Sequence, residues 1–157
     1  MFNLYTFDVF ITSGPMTRKF IKRNPVVCRT IEIQGEQTLA DLHHIIFMAF
    51  DREDEHMYEF QIGGKGPNDP NALRYGAPNV LEDESKAEKF GGDVTQTAID
   101  SLKLKVDDAF GYWFDFGDDW WHQINVVAID EKTLAGDYPR VTKKEGASPP
   151  QYIDNEA

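Results

Sequence analysis

Cysteine is almost absent from this 157-residue chain: Cys28 stands alone. One thiol builds neither a disulfide framework nor a thiolate metal cage, so a reducing, cytoplasmic setting is the default expectation. Long hydrophobic runs are missing too. The longest, Ile45 to Phe50, is six residues, where a membrane helix needs about 20. The first ten residues hold Asp8 and no base, which does not fit a secretory leader. Basic charge is scarce, with 16 Lys and Arg against 27 Asp and Glu and a net charge of −11. That balance argues against a nucleic-acid binder drawn in by global positive charge. Short catalytic signatures such as HExxH or CxxC are also lacking. Gly63-Gly64-Lys65-Gly66-Pro67 invites a phosphate-loop reading, but its spacing is wrong and proline stands where a helix should start. The acidic run Asp51 to Glu55 lacks the sixth-position glycine of a calcium loop, since His56 stands there.

What remains is patterning for one α+β domain, the class expected from length and element order. The expected domain covers 1–150, with 151–157 a surface or frayed tail. Tyr5, Phe7, Val9 and Ile11 alternate with less apolar neighbours, a strand pattern broken at Thr12-Ser13-Gly14-Pro15. A second β-rich run from Val26 to Ile33 puts Val27, Arg29, Ile31 and Ile33 on one face. Thr38 followed by Asp41 makes a capping-box-like helix start, and Leu39, Leu42, Ile46, Ala49 and Phe50 form its apolar stripe. His43 falls inside that stripe. His44 is rotated about 100° away, which predicts that the two neighbours serve different surroundings. Period two returns at His56, Tyr58, Phe60 and Ile62, and 63–97 reads as loops with at most one or two short helices.

A helical turn is expected at 98–102, and after it an aromatic hairpin. Phe110, Tyr112, Phe114 and Phe116 alternate up to the turn Gly117-Asp118-Asp119, and the return strand runs from Trp120 to about Ile129. A three-residue loop would set Phe116 opposite Trp120, Phe114 opposite His122, Tyr112 opposite Ile124 and Phe110 opposite Val126, leaving His122 on the buried face. The opening order strand, strand, helix, strand is like a β-grasp start, set in a mixed or antiparallel sheet with one main amphipathic helix.

Several stretches together resemble one family. They are Val27-Cys28-Arg29-Thr30-Ile31, Thr38-Leu39-Ala40-Asp41-Leu42-His43, His56-Met57-Tyr58-Glu59-Phe60, the run from Tyr112 through Phe116-Gly117-Asp118-Asp119 to His122, and Glu145-Gly146-Ala147-Ser148-Pro149-Pro150. The chain resembles the plasmid pRiA4b ORF-three-like family, also labelled a transposon-passenger TnpR-like family. The resemblance implies an α+β fold and an origin near mobile elements, and it implies no particular reaction. Many relatives carry tryptophan in place of Cys28 and cysteine in place of Ser148. No serine- or tyrosine-recombinase pattern accompanies the TnpR label.

Four sets of residues are candidates for chemistry. His43, His56 and His122 with Asp118 make either a divalent-metal site, as in a metal-dependent hydrolase, or a cluster of buried, hydrogen-bonded imidazoles. Arg29, pointing inward, needs a partner, and Asp115 is the expected one. Arg18, Lys19, Lys22 and Arg23 form a basic segment able to contact a protein partner or nucleic acid. Trp113 and Trp121 fall on the side opposite the core, as an aromatic interface or as a surface covered by the Pro-Pro tail. The reading leans to a non-catalytic accessory or interaction module that expects no cofactor.

Overall fold

The N-terminal alternation forms the strand that everything else is built around. The structure, a computed structural model, describes residues 3–77, 90–131 and 136–153. Its elements are β1 (Asn3–Ser13), α1 (Arg18–Arg23), β2 (Cys28–Gln34), α2 (Leu39–Ala49), β3 (Tyr58–Ile62), β4 (Leu73–Gly76), β5 (Phe90–Asp93), a 3-10 turn (Ile99–Leu102), β6 (Ala109–Phe114), β7 (Trp120–Glu131) and β8 (Arg140–Glu145). The eight strands make one sheet in the order β5-β4-β3-β6-β7-β1-β2-β8. Every neighbouring pair is antiparallel except β4 with β5. This is a single mixed sheet with few helices. No helix among the described residues is long and apolar enough to cross a membrane.

Helix α2 covers one face of the sheet. The Thr38 hydroxyl accepts from Asp41 N, and the Asp41 carboxylate accepts from Thr38 N, closing the capping box. Leu39, Leu42, Ile46 and Phe50 join the core with Phe7, Ile31, Ile33, Phe60, Tyr112, Phe114, Trp120, Ile124 and Val126. Each fully buried large apolar side chain here contributes about 1.5–3 kcal/mol. The basic segment is a six-residue helix, α1, capped by Thr17 and anchored by buried Phe20.

Five expectations need correction. The hairpin pairs Phe114 with Trp120, Tyr112 with His122 and Phe110 with Ile124, two residues off the expected register. The loop is five residues because Asp115 and Asp119 take left-handed backbone conformations (φ 63° and 58°) and Asp119 N donates to Asp115 O. A two-residue shift preserves the faces, so His122 still points into the core. Strands β4 and β5 lie in the stretch read as loops, whose residues 78–89 fall outside the described residues. They are four residues each, too short to show a period. In β5 the glycine at 91 is required, since a Cβ there would sit 2.5 Å from the Tyr75 ring.

The β-grasp-like start matches in element order only, because β6 and β7 stand between β1 and β3. His56 precedes β3 rather than opening it. Finally, Gln151 is buried rather than part of a surface tail. Its side chain accepts from Glu53 N and Asp54 N and donates to Asp54 O. Residues 154–157 of that tail lie outside the described residues.

Candidate functional site

Helix α2 and the β6–β7 hairpin place two imidazoles on either side of Tyr112. His43, on the buried stripe of α2, lies with Nδ1 2.6 Å from the Tyr112 hydroxyl and Nε2 3.0 and 3.2 Å from the two Glu55 oxygens. Its ring stacks on Tyr58 at 3.6 Å. Burial outweighs the pull of Glu55 and pushes the His43 pKa down to about 4, so the ring is neutral near pH 7. In that state Nε2–H donates to Glu55 and Nδ1 accepts from Tyr112. His122 is more enclosed, with Nδ1 3.2 Å from the Tyr112 carbonyl oxygen and Phe50 and Tyr112 beside its ring. Desolvation first, then the nearby Arg52 charge, pushes its pKa down to about 3.

His56 is elsewhere. Its Nε2 is 2.9 Å from the Tyr152 hydroxyl and 3.5 Å from Asp115 Oδ2, on a half-exposed side chain. The expected trio therefore does not converge, and Asp118 sits exposed in the hairpin turn, where its N–H donates to Asp115 Oδ1. The group of potential ligands that does come together among the described residues is His43, His44 and Glu55, with ligand atoms within 4.8 Å of one another. The expected separation of His43 from His44 is thus wrong for this purpose. Asp51, at φ 55°, turns the chain at the end of α2, and Glu55 is brought back against the helix.

Arg29 does not pair with Asp115. It donates to the carbonyls of Ala49, Cys28, Glu145 and Gly146 and to Ser148 Oγ, and it lies over the Phe50 ring. Ser148 in turn donates to Asp51 Oδ2 at 2.6 Å, so a carboxylate balances the guanidinium one hydroxyl away. Asp115 instead holds the turn, accepting from Gly117 N and Asp118 N. A second buried guanidinium, Arg52, stacks 4.0 Å over Trp120, and its two Nη atoms have no hydrogen-bond partner among the described residues. A cavity of about 430 Å³ lies beside Asp51, Glu53 and Ser148, with Pro149, Pro150 and Gln151.

On the sheet face away from α2, Trp113 and Trp121 stack at 4.9 Å with planes 7° apart, and Phe116 packs on Trp113 at 4.1 Å. Trp113 Nε1 donates to Asp119. Next to this half-exposed stack lies a groove of about 540 Å³. Gly111 leaves its floor bare, Trp121, Thr12 and Ser13 form one wall, and the loop Gly64–Pro67 forms the other. The loop is pinned over β3: Gln61 Oε1 accepts from Asn68 N, Gln61 Nε2 donates to Asn68 Oδ1 and Glu59, and Arg74 bonds both Asn68 and Glu59. The bases Arg18, Lys19, Lys22 and Arg23 are exposed on α1.

The family model described as plasmid pRiA4b ORF-3-like protein matches residues 19–156. The chain belongs to that family. A relative from Sinorhizobium fredii (strain NBRC 101917 / NGR234), the uncharacterized protein y4hQ, is 26% identical over 136 residues, 82% of this chain. The chain spans 60% of that relative's length. The crystal structure of protein of unknown function MM3350 from Methanosarcina mazei Go1 superposes with a TM-score of 0.72 at 21% identity, covering 96% of this chain and 74% of that one. It shares the fold.

Within this pRiA4b ORF-3-like chain, sequence reasoning missed Glu55, Gln61, Gly111 and Arg52. Glu55 lay in an acidic run that looks like any solvated turn. Gly111 carried a signal, being the small residue in an otherwise aromatic strand, where glycine marks a close approach or an opening. Gln61 and Arg52 carried none: Gln61 is engaged by the irregular loop just after its own strand, and Arg52 by Trp120 of a strand far along the chain.

Proposed function

We propose that this domain is a non-catalytic binding module whose site is the groove over Gly111, and that its occupant is a small organic anion bearing a flat ring. The observation that carries this reading is the pinned loop. Gln61, Asn68, Arg74 and Glu59 hold the Gly64–Pro67 wall in place through their own hydrogen bonds, so the groove stands open without a ligand. Its volume of about 540 Å³ falls in the range of about 300–1,000 Å³ typical of small-molecule sites. Trp121 supplies an aromatic surface, Gln123 a polar contact and Lys65 a cation among the described residues of the lining. The plasmid-borne namesake of the family adds a service to mobile genetic elements, in a cytoplasmic setting, to the same reading.

The test is a ligand-observed NMR screen with aromatic carboxylates and their uncharged amides, against the wild type and Gly111→Val. Among the described residues a Cβ at 111 meets only Gln61 atoms, at 3.7 and 3.8 Å, an ordinary contact; the variant is expected to keep the wild-type circular dichroism while its γ-methyls fill the floor. The carboxylates are expected to bind with dissociation constants below about 1 mM, to bind more tightly than the amides, and to be lost in Gly111→Val. Equal binding to both proteins, or no binding to the wild type, refutes the reading.

A further inference from the structure

We propose that His43 Nε2, His44 and Glu55 form a site for one divalent first-row transition-metal ion, at the open end of the α2 layer and independent of the groove. Imidazole and carboxylate together suit zinc, and cobalt, iron or manganese take the same donors. The spacing needs little adjustment. Bonds of about 2.0–2.1 Å to a tetrahedral ion put neighbouring ligand atoms about 3.3 Å apart. His43 Nε2 and Glu55 Oε2 are already 3.0 Å apart, and all three residues offer atoms within 4.8 Å of one another. His44 and Glu55 are exposed, so their side chains are free to close the remaining gap and to leave a position for water.

The fixed ligand is His43, and its surroundings are those of an oriented one. Tyr58 stacks on the ring at 3.6 Å, and the Tyr112 oxygen lies 2.6 Å from Nδ1. A metal-bound imidazole is held by a hydrogen bond from its other nitrogen. On binding, the ring keeps one proton: it leaves Nε2 for Nδ1, the Nε2 lone pair turns to the ion, and the Tyr112 hydroxyl rotates its own hydrogen away from Nδ1 so that its oxygen accepts. The surroundings also favour a cation. Glu55, Asp93 and Asp41 all act electrostatically on the Tyr58 hydroxyl, which marks a concentration of negative charge on this side of the helix.

The experiment is titration of tag-free, chelator-treated full chain with Co²⁺ and Zn²⁺, followed by d–d absorption for cobalt and calorimetry for zinc. Wild type is expected to take up one ion per chain. His44→Ala and Glu55→Gln, both at exposed positions, are expected to keep the wild-type circular dichroism and to bind at least about tenfold more weakly, with loss of the cobalt bands. Absence of binding by the wild type overturns the proposal. So does binding within threefold of wild type in both variants, which would place the ion elsewhere. Neither outcome touches the groove reading, whose probe carries no metal.

Discussion

Lowering the pH from about 7.5 to about 5 destabilises this protein through imidazoles whose burial holds off protonation while folded. His122 is 3% exposed, and its pKa is pushed from 6.5 down to about 3. The unfolded chain binds a proton near the ordinary value, so below that value it holds more protons than the native state, and stability falls with falling pH. The contribution of His122 is fully present above about pH 6.5 and lost progressively down to about pH 3. At 1.36 kcal/mol per pH unit, the loss reaches about 2 kcal/mol by pH 5 and about 4–5 kcal/mol at completion. His43, pushed down to about 4, contributes about 2 kcal/mol more by pH 5. Urea unfolding of the wild type and His122→Gln at both pH values isolates the first contribution. The variant is expected to lose about 2 kcal/mol less than the wild type over this interval. Equal losses in the two proteins, or a His122 ring resonance that titrates near pH 6.5 in the folded protein, refute the reasoning.

Two buried guanidiniums give opposite expectations. Arg29→Met strands four carbonyls and the Ser148–Asp51 pair, and is expected to cost about 3–5 kcal/mol in chemical denaturation; a loss below about 1 kcal/mol would contradict the network. Arg52→Met removes a cation whose Nη atoms have no hydrogen-bond partner among the described residues and replaces its stacking on Trp120 with a thioether contact. Stability is expected to stay within about 1 kcal/mol of wild type, and the His122 ring to titrate at a higher pH, because the Arg52 charge is one of the causes holding it down. A large loss of stability with an unmoved titration would contradict it.

Local chemistry made α2 and the hairpin readable. Thr38 with Asp41, and the spacing from Leu39 to Phe50, depend only on neighbours a turn away. The aromatic alternation from Phe110 to Phe114 has a period that no helix shares. Even the misplaced register left His122 inside, since an error of two residues does not change faces. Partners brought in from far along the chain were not readable. Arg29 was expected to find a carboxylate and found the carbonyls of residues 116 and 117 positions away, together with Ser148. Asp115 is engaged instead by the Gly117 and Asp118 amides of its own turn. His43 and His44 diverge around the helix, and only the fold-back after Asp51 gives them Glu55 in common. Strands β4 and β5 have neither length nor alternation, and Gly91 and Gly92 read as loop until Tyr75 lies over them.

Strand β1 is hydrogen-bonded on one side to β2, next in sequence among the strands, and on the other to β7, more than a hundred residues on; Ile11, for instance, faces His122. The β1–β2 hairpin closes quickly over its short connection, while its second flank waits for a partner that must cross a large loop in the chain. During that delay an apolar strand edge stands unpaired, the form in which sheets join with the wrong chain. Misassembly of this protein should therefore track the lifetime of that half-built state, and changes that speed docking of the β6–β7 ribbon should raise soluble yield even where they leave equilibrium stability unchanged.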